Sequence, residues 1–353
     1  MTTLADVMAL VAVDSVSGNE NVLAGLVYER LRANDALIVE RVGDNVIART
    51  NGLHATRILV AGHLDTVPGD VTAARIEGDA LHGLGAVDMK ASLASMIDLA
   101  LEPQPRGVEL TWVFYAREEI ERTRSGLVEV AEIRPELLVA DVAVLAEPTD
   151  GRVEAGCQGT LRVGITLRGR RAHTARPFTG RNAIHRLGDL VSFVATYQPR
   201  EATMDGVTYV EQLQAVAVAG GVAPNVVPDV ASCVLNHRVA PDRTRDEAVA
   251  WLREYLGELI VDGDELEVLD WAPSAMPRLD NRYFAKLVEL TGAPPRAKVG
   301  FTDVATFHEL GIPATNFGAG DPLLAHRSDE FISAQQVETY AATLGEWLRS
   351  APY

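Results

Sequence analysis

The stretch RILVAGHLDTVPGD (residues 57–70) carries an apolar run straight into two polar groups, His63 and Asp65. In an extended chain residues i and i+2 share a face, so both side chains look the same way. Other positions repeat the pattern of a histidine or carboxylate at the end of an apolar run. Asp88 lies in the glycine-rich turn GLGAVDMK, Glu118 and Glu119 follow LTWVFYA, Glu147 follows VAVLA, and His326 lies in the turn after ATNF. Two histidines with three carboxylates suit zinc or a similar borderline dication. Five such ligands, one of them shared, suit a pair of dications able to polarise a carbonyl oxygen and activate water. Adjacent residues such as Glu118 and Glu119 point in different directions, which divides them into one ligand and one proton carrier. Asp65 is placed to fix the tautomer of His63.

Taken singly, each position has a plainer reading: a solvated loop, surface charge, or, for Asp88, a cap on the following helix. Those readings weaken jointly, because the residues fall in chain order at the ends of successive strands. A parallel sheet gathers such ends into one cleft.

The elements that must do the gathering are legible in outline. Ser17-Gly-Asn-Glu20 has the form of a capping box opening a helix to about Arg32. Val46–Arg49, Ile58–Gly62, Leu110–Ala116 and Val142–Ala146 read as strands, and Lys90–Leu101 as a helix. The alternation predicts a mainly parallel sheet flanked by helices. From about residue 160 the pattern changes. Leu161–Gly169 alternates with period two, Thr179–Tyr197 is helical, Thr208–Ala219 and Ala231–Val239 are strand-like, and Thr244–Glu247 caps a helix to about Leu256. One wet-faced sheet with two amphipathic helices predicts a small α+β domain. After about Leu269 the first pattern returns: helix Asn281–Leu290, strand-like Ala297–Gly300, helix Asp303–Leu310, strand Ala314–Phe317, and a last helix from the box Ser333–Gln336. The expected organisation is one α/β domain, residues 1–159 and 269–353, interrupted by an inserted domain, residues 160–268.

Bulk properties exclude several functions. The chain has 353 residues, 47% hydrophobic and 23% charged, with a net charge of −17. Such a surface repels nucleic acid on average, and no basic run offsets it. The N-terminus lacks the basic region of a signal peptide and no apolar run is long enough to span a membrane. Two cysteines, Cys157 and Cys233, form no CxxC pair. These features predict a cytoplasmic protein without disulfides.

The motifs AGHLDTVP, GLGAVDMK, YAREEI, LAEPT and AHRSDE resemble, in order, those of the M20 family of dinuclear zinc aminoacylases and peptidases. The resemblance spans nearly the whole chain. EAGCQG (154–159), RAHTARPFTGRNAI (171–184), GVAPNVVPD (221–229) and ATNFGAGDP (314–322) narrow it to the branch that removes succinyl groups from amino-acid amines. It implies a zinc-exopeptidase-like α/β domain whose inserted α+β domain serves as a lid and dimerises. It implies two zinc ions, with cobalt or manganese able to substitute. His63 and Glu147 would hold one, Glu119 and His326 the other, and Asp88 would bridge. Glu118 would be the general base and acid, with Asp65 orienting His63. His173 would reach the partner subunit's site to stabilise the oxyanion, and Asn225, Arg238 and Thr302 would contact a small N-acyl amino acid substrate. No nucleic acid or membrane partner is implied.

Departures from the family pattern are few. Leu84 replaces an arginine, Ala91-Ser92 a glycine pair and Ile120 a glycine. Cys157-Gln158 stands where many of the branch carry two arginines, leaving Arg162 or Arg238 to meet a substrate carboxylate. His54, His82, His185, His237 and His308 lack ligand-like spacing and read as structural. The ligand set serves an acetylornithine deacetylase, another N-acyl amino acid amidohydrolase or a dipeptidase equally well. An inactive binding relative is the non-enzymatic alternative, and the complete ligand set with Glu118 counts against it.

Overall fold

A computed structural model describes residues 2–52, 54–103 and 107–350. The chain folds as two compact units. The first takes Met1–Gly156, Pro277–Ala297 and Thr302–Tyr353, and the second takes Cys157–Met276 with Lys298–Phe301.

The first unit is built on an eight-stranded mixed sheet. Its order is Leu37–Val42, Asn45–Thr50, Glu109–Tyr115, Arg57–His63, Val142–Leu145, Ala314–Asn316, Glu154–Ala155, Arg296–Ala297. Strand Arg57–His63 pairs in parallel with neighbours on both sides, and Ala314–Asn316 extends the parallel run beyond Val142–Leu145. Central strands covered on both faces need apolar residues at every position, not at alternate ones. Glu109–Tyr115 is buried along its whole length, and Arg57–His63 at all but its first residue. The core joins Trp112, Phe114, Phe284, Phe317, Tyr340 and Trp347. Trp347 satisfies its indole N–H by donating to the Tyr283 carbonyl at 2.8 Å. Burial without that partner would cost on the order of 1–3 kcal/mol.

The second unit carries a four-stranded antiparallel sheet, ordered Gln212–Gly220, Val230–Val239, Gly159–Arg168, Glu265–Ala272. Burial alternates along Gly159–Arg168 and Val230–Val239, the signature of a sheet with one wet face. Helices Ala183–Val194 and Arg245–Leu256 contribute Leu187, Leu190 and Leu252 to the same apolar cluster as Val163, Ile165 and Leu235. The capping box at Thr244 forms as expected, with Glu247 returning a bond to the Thr244 amide. The antiparallel sheet with its two helices has the α+β character expected from the sequence.

Three local expectations differ. The helix before Arg32 begins at Asn21 with no side-chain cap, because Ser17 and Glu20 are drawn to other partners. The strand expected over Thr208–Ala219 is two strands, Val207–Val210 and Gln212–Gly220, in different sheets. Between them Glu211 is buried on Arg243, Arg200 and the Ala240 amide, which takes it out of either ladder. Of Ala297–Gly300, only Ala297 is in a strand, Arg296–Ala297. No helix among the described residues is long and apolar enough to cross a membrane.

Candidate metal centre

His63 is the last residue of its strand and is 1% exposed. Its ring is fixed from both ends. Nδ1–H donates to the main-chain carbonyl of Asp65 at 3.0 Å, with a carboxylate oxygen of the same residue 3.5 Å away. Nε2 lies 3.0 Å from Asp88 Oδ1. The tautomer is thus held mainly by the Asp65 backbone, where the sequence pointed to its side chain.

The Asp65 carboxylate is spent on the glutamate doublet. Oδ1 accepts the Glu118 amide and Oδ2 the Glu119 amide, each at 3.0 Å. Oδ2 also accepts the Ser17 hydroxyl at 2.6 Å. Burial works to raise the Asp65 pKa, but the His63 ring and these donors outweigh it and hold the carboxyl below its ordinary value.

Asp88 sits in the turn between Gly85 and the helix Ala91–Leu101. Its second oxygen, Oδ2, lies 3.3 Å from His326 Nε2, so one carboxylate faces both histidines. The same His326 nitrogen meets Glu119 Oε1 at 2.7 Å. Hydrogen bonds to Asp88 and Glu119 push the His326 pKa up to about 10. Burial opposes charge on Asp88, yet His326 and His63 hold its carboxyl far below the usual range.

Among the described residues, His63, Asp88 and Glu119 each offer one ligand atom within 4.8 Å of the others. Imidazole nitrogen and carboxylate oxygen converging at that spacing fit a borderline dication. Glu147 is buried two residues beyond the strand Val142–Leu145, and its charge acts on Glu118. Gly318 lets that stretch pack: a Cβ there would come within 2.2 Å of the Glu147 carbonyl oxygen. Burial first, then Glu147 and Glu119, push the Glu118 pKa well above the ordinary carboxyl value, with His63 opposing. A carboxyl shifted upward in this way is suited to holding and returning a proton.

Glu330 carries a positioning job that no local signal in the sequence announced. Its carboxylate accepts the amides of Gly85, Val87 and Asp88 at 3.1, 2.6 and 3.1 Å, fixing the turn that presents Asp88. Burial raises its pKa to about 7. Thr302, in the first unit, is 2% exposed and donates to Asn316 Oδ1 at 2.8 Å. His173, Asn225 and Arg238 lie in the second unit. His173 is exposed and accepts the Ala175 amide through Nδ1 at 3.0 Å. Asn225 is exposed, with its carbonyl receiving the Thr174 amide. Arg238 is half-buried and donates to the Thr160 hydroxyl at 2.5 Å.

Comparison with known proteins follows the same lines. The signature of peptidase family M20/M25/M40 matches residues 59–350. The succinyl-diaminopimelate desuccinylase of Corynebacterium glutamicum is 42% identical over 347 residues, covering 96% of this chain and 94% of that protein. A Mycobacterium tuberculosis relative, provisionally given the same name, is 44% identical over 343 residues, covering 96% of both chains. In fold, the chain is similar to the Bacillus subtilis YXEP protein, described as a dinuclear metal-binding peptidase. The TM-score is 0.72 at 16% identity, over 98% of this chain and 96% of that one.

Proposed function

The chain belongs to peptidase family M20/M25/M40, and on that premise we propose that it hydrolyses N-succinyl-LL-diaminopimelate to succinate and LL-diaminopimelate, a step toward lysine and cell-wall precursors. The observation that carries the chemistry is Asp88, one carboxylate facing His63 and His326, with the Glu118–Glu119 doublet held beside it by Asp65. This donor set suits two dications, zinc by preference, with His63 and Glu147 on one, Glu119 and His326 on the other, and Asp88 shared. Bound there, they supply Lewis acidity for the scissile carbonyl and compensate the clustered carboxylates.

The protein's part is proton handling and placement. Glu118 takes a proton from the attacking water as its oxygen bonds to the carbonyl carbon. It returns that proton to the amine nitrogen as the C–N bond breaks. Asp65 fixes the direction of Glu118 through the amide it accepts. Arg162 is committed to Asp270 at 2.8 Å, whereas among the described residues no carboxylate pairs with Arg238. Arg238 is therefore the arginine suited to a substrate carboxylate, with Asn225 beside it in role. The Arg-Arg pair common in the branch is replaced by buried Cys157 and Gln158, and Gln158 donates to the Val210 carbonyl at 3.1 Å.

The protein works as a homodimer through the inserted unit, with His173 of one copy serving the other's oxyanion. The support is the edge strand Gln212–Gly220, which leaves Val216 and Val218 more than half exposed. An unpaired apolar edge invites a second copy.

Steady-state kinetics with added zinc test the reading. A site built to pair substrate carboxylates should favour N-succinyl-LL-diaminopimelate over N-acetylornithine and dipeptides by roughly a hundredfold or more in kcat/KM. A reversed order assigns the chain to acetylornithine or peptide hydrolysis. Binding without turnover of any of them assigns it to an inactive relative.

A further inference from the structure

Residues 13–20 (VDSVSGNE) run between helices Leu4–Val11 and Asn21–Arg32 as a strap against the site. Ser15 donates its hydroxyl to the Leu64 carbonyl at 2.9 Å and receives the Thr66 amide on its own carbonyl at 3.0 Å. The Ser17 amide donates to the Thr66 carbonyl at 3.2 Å. Lys90, buried in the turn that carries Asp88, reaches back with Nζ to the Val13 carbonyl at 2.8 Å. The strap is thus sewn to the stretch that follows His63 and to the turn that presents Asp88.

Two of its polar side chains, Ser17 and Glu20, then act on the segment that carries the glutamate doublet. Ser17 Oγ donates at 2.6 Å to Asp65 Oδ2, the oxygen that also receives the Glu119 amide. Glu20 is fully buried, and its Oε1 accepts the Gly18 amide at 2.8 Å and the Arg117 amide at 3.0 Å. Three consecutive amides, Arg117, Glu118 and Glu119, are therefore tethered to two carboxylates, Glu20 and Asp65. Arg117 is held at φ +62°, a left-handed conformation that a non-glycine residue adopts only when its surroundings enforce it. Neither the Ser17 nor the Glu20 side chain caps the helix that follows.

We propose that Ser17 and Glu20 are positioning residues for amide hydrolysis: together they set the direction of Glu118 and Glu119 through Asp65 and the Arg117 amide. The inference rests on the hydrolase reading above. A carboxylate torsion is soft and roughly two-fold, so Asp65 without the Ser17 hydroxyl loses the shortest of the three hydrogen bonds that hold its plane and is left to the two amides it must itself position. A displacement of about 1 Å at a reacting group can cost about a hundredfold in rate.

The test compares the full-length parent with S17A, S17T, E20A and the S17A/E20A double variant at saturating zinc. In S17A, kcat falls about 10- to 100-fold with KM within about threefold. Zinc affinity, measured by competition with a chromogenic chelator, weakens about tenfold through Glu119. S17T, which keeps the hydroxyl, recovers most of both. The double variant loses less than the product of the single losses, because both act on one segment. S17A with kcat and zinc affinity within twofold of the parent overturns the proposal, as does S17T no better than S17A. If the parent hydrolyses no amide offered, the hydrolase reading fails on its own, and the zinc titration still decides the strap: unchanged affinity in S17A rejects it.

Discussion

Glu118 and Glu119 are neighbours in sequence to which the proposed reading gives opposite tasks, and Asp65 accepts the amides of both. By accepting both amides it sends Glu119 to His326 and leaves the Glu118 carboxyl among Glu147, Glu119 and Asp303, whose charges favour its protonated form. The proposed division between proton carrier and ligand would therefore be set by the backbone, and substitution can test it. Gln in place of Glu118 keeps the shape and removes the proton acceptor. E118Q should lose about 10²- to 10⁴-fold in kcat, the usual worth of a general acid–base group. Zinc content should match the parent, because the ligand atoms are on other residues. Amine-release kinetics together with metal analysis check both halves. Near-parental turnover would remove Glu118 from the mechanism, and a parallel loss of zinc would make it a ligand.

At the scale of elements, what could be read ahead was what local sequence controls. Continuous apolar runs marked the buried parallel strands, and two of the residues that follow such runs, His63 and Glu119, converge with Asp88. The box at Thr244 formed because its partner Glu247 lies within the same turn. The box at Ser17 did not, because Asp65, 48 residues away in sequence, is the better acceptor. Glu211 and Glu330 were opaque for the same reason: their partners are distant amides and arginines that no spacing rule reaches. A similar long-range tie closes the second unit. Asp264, with its side chain fully buried, accepts the amides of Arg168 and Val261 at 2.7 and 2.9 Å and pairs with Arg186 at 2.5 Å. Burial opposes its charge, but Arg186 and the amides bring its pKa down to about 2. A folded-state pKa below the unfolded value of about 3.9 stabilises at pH above that value. The contribution is lost as pH falls through the folded pKa. D264N should therefore destabilise this unit by about 2.5 kcal/mol at pH 7, from a shift of just under two units at about 1.4 kcal/mol each. The gap to the parent should narrow at pH 3. Urea unfolding at both pH values measures it, and an equal gap at the two would show that the charge is not the cause.

For the molecule as a whole, the uneven placement of acid matters more than its total. The net charge is −17, and Asp65, Asp88, Glu118, Glu119, Glu147 and Asp303 fall within one unit, three of them buried and three partly so. Like charges so placed repel one another, and dications are the natural counterweight. The two units have separate apolar clusters, one around Trp112 and Trp347 and the other around Ile165 and Leu235. Removing the dications should therefore act on one unit and spare the other. With a chelator, hydrolysis should stop and the unfolding transition of the first unit should move down in temperature, while that of the second stays put. Restoring zinc to a hundred times its dissociation constant should return about 2.7 kcal/mol to the first unit alone. Calorimetry with and without chelator reads both transitions in one scan. If both shifted equally, the cation would be stabilising through the general field of an acidic surface, and high salt would mimic it. If neither moved while activity persisted, the cluster at Asp88 would hold no cation that matters to the fold or to the reaction.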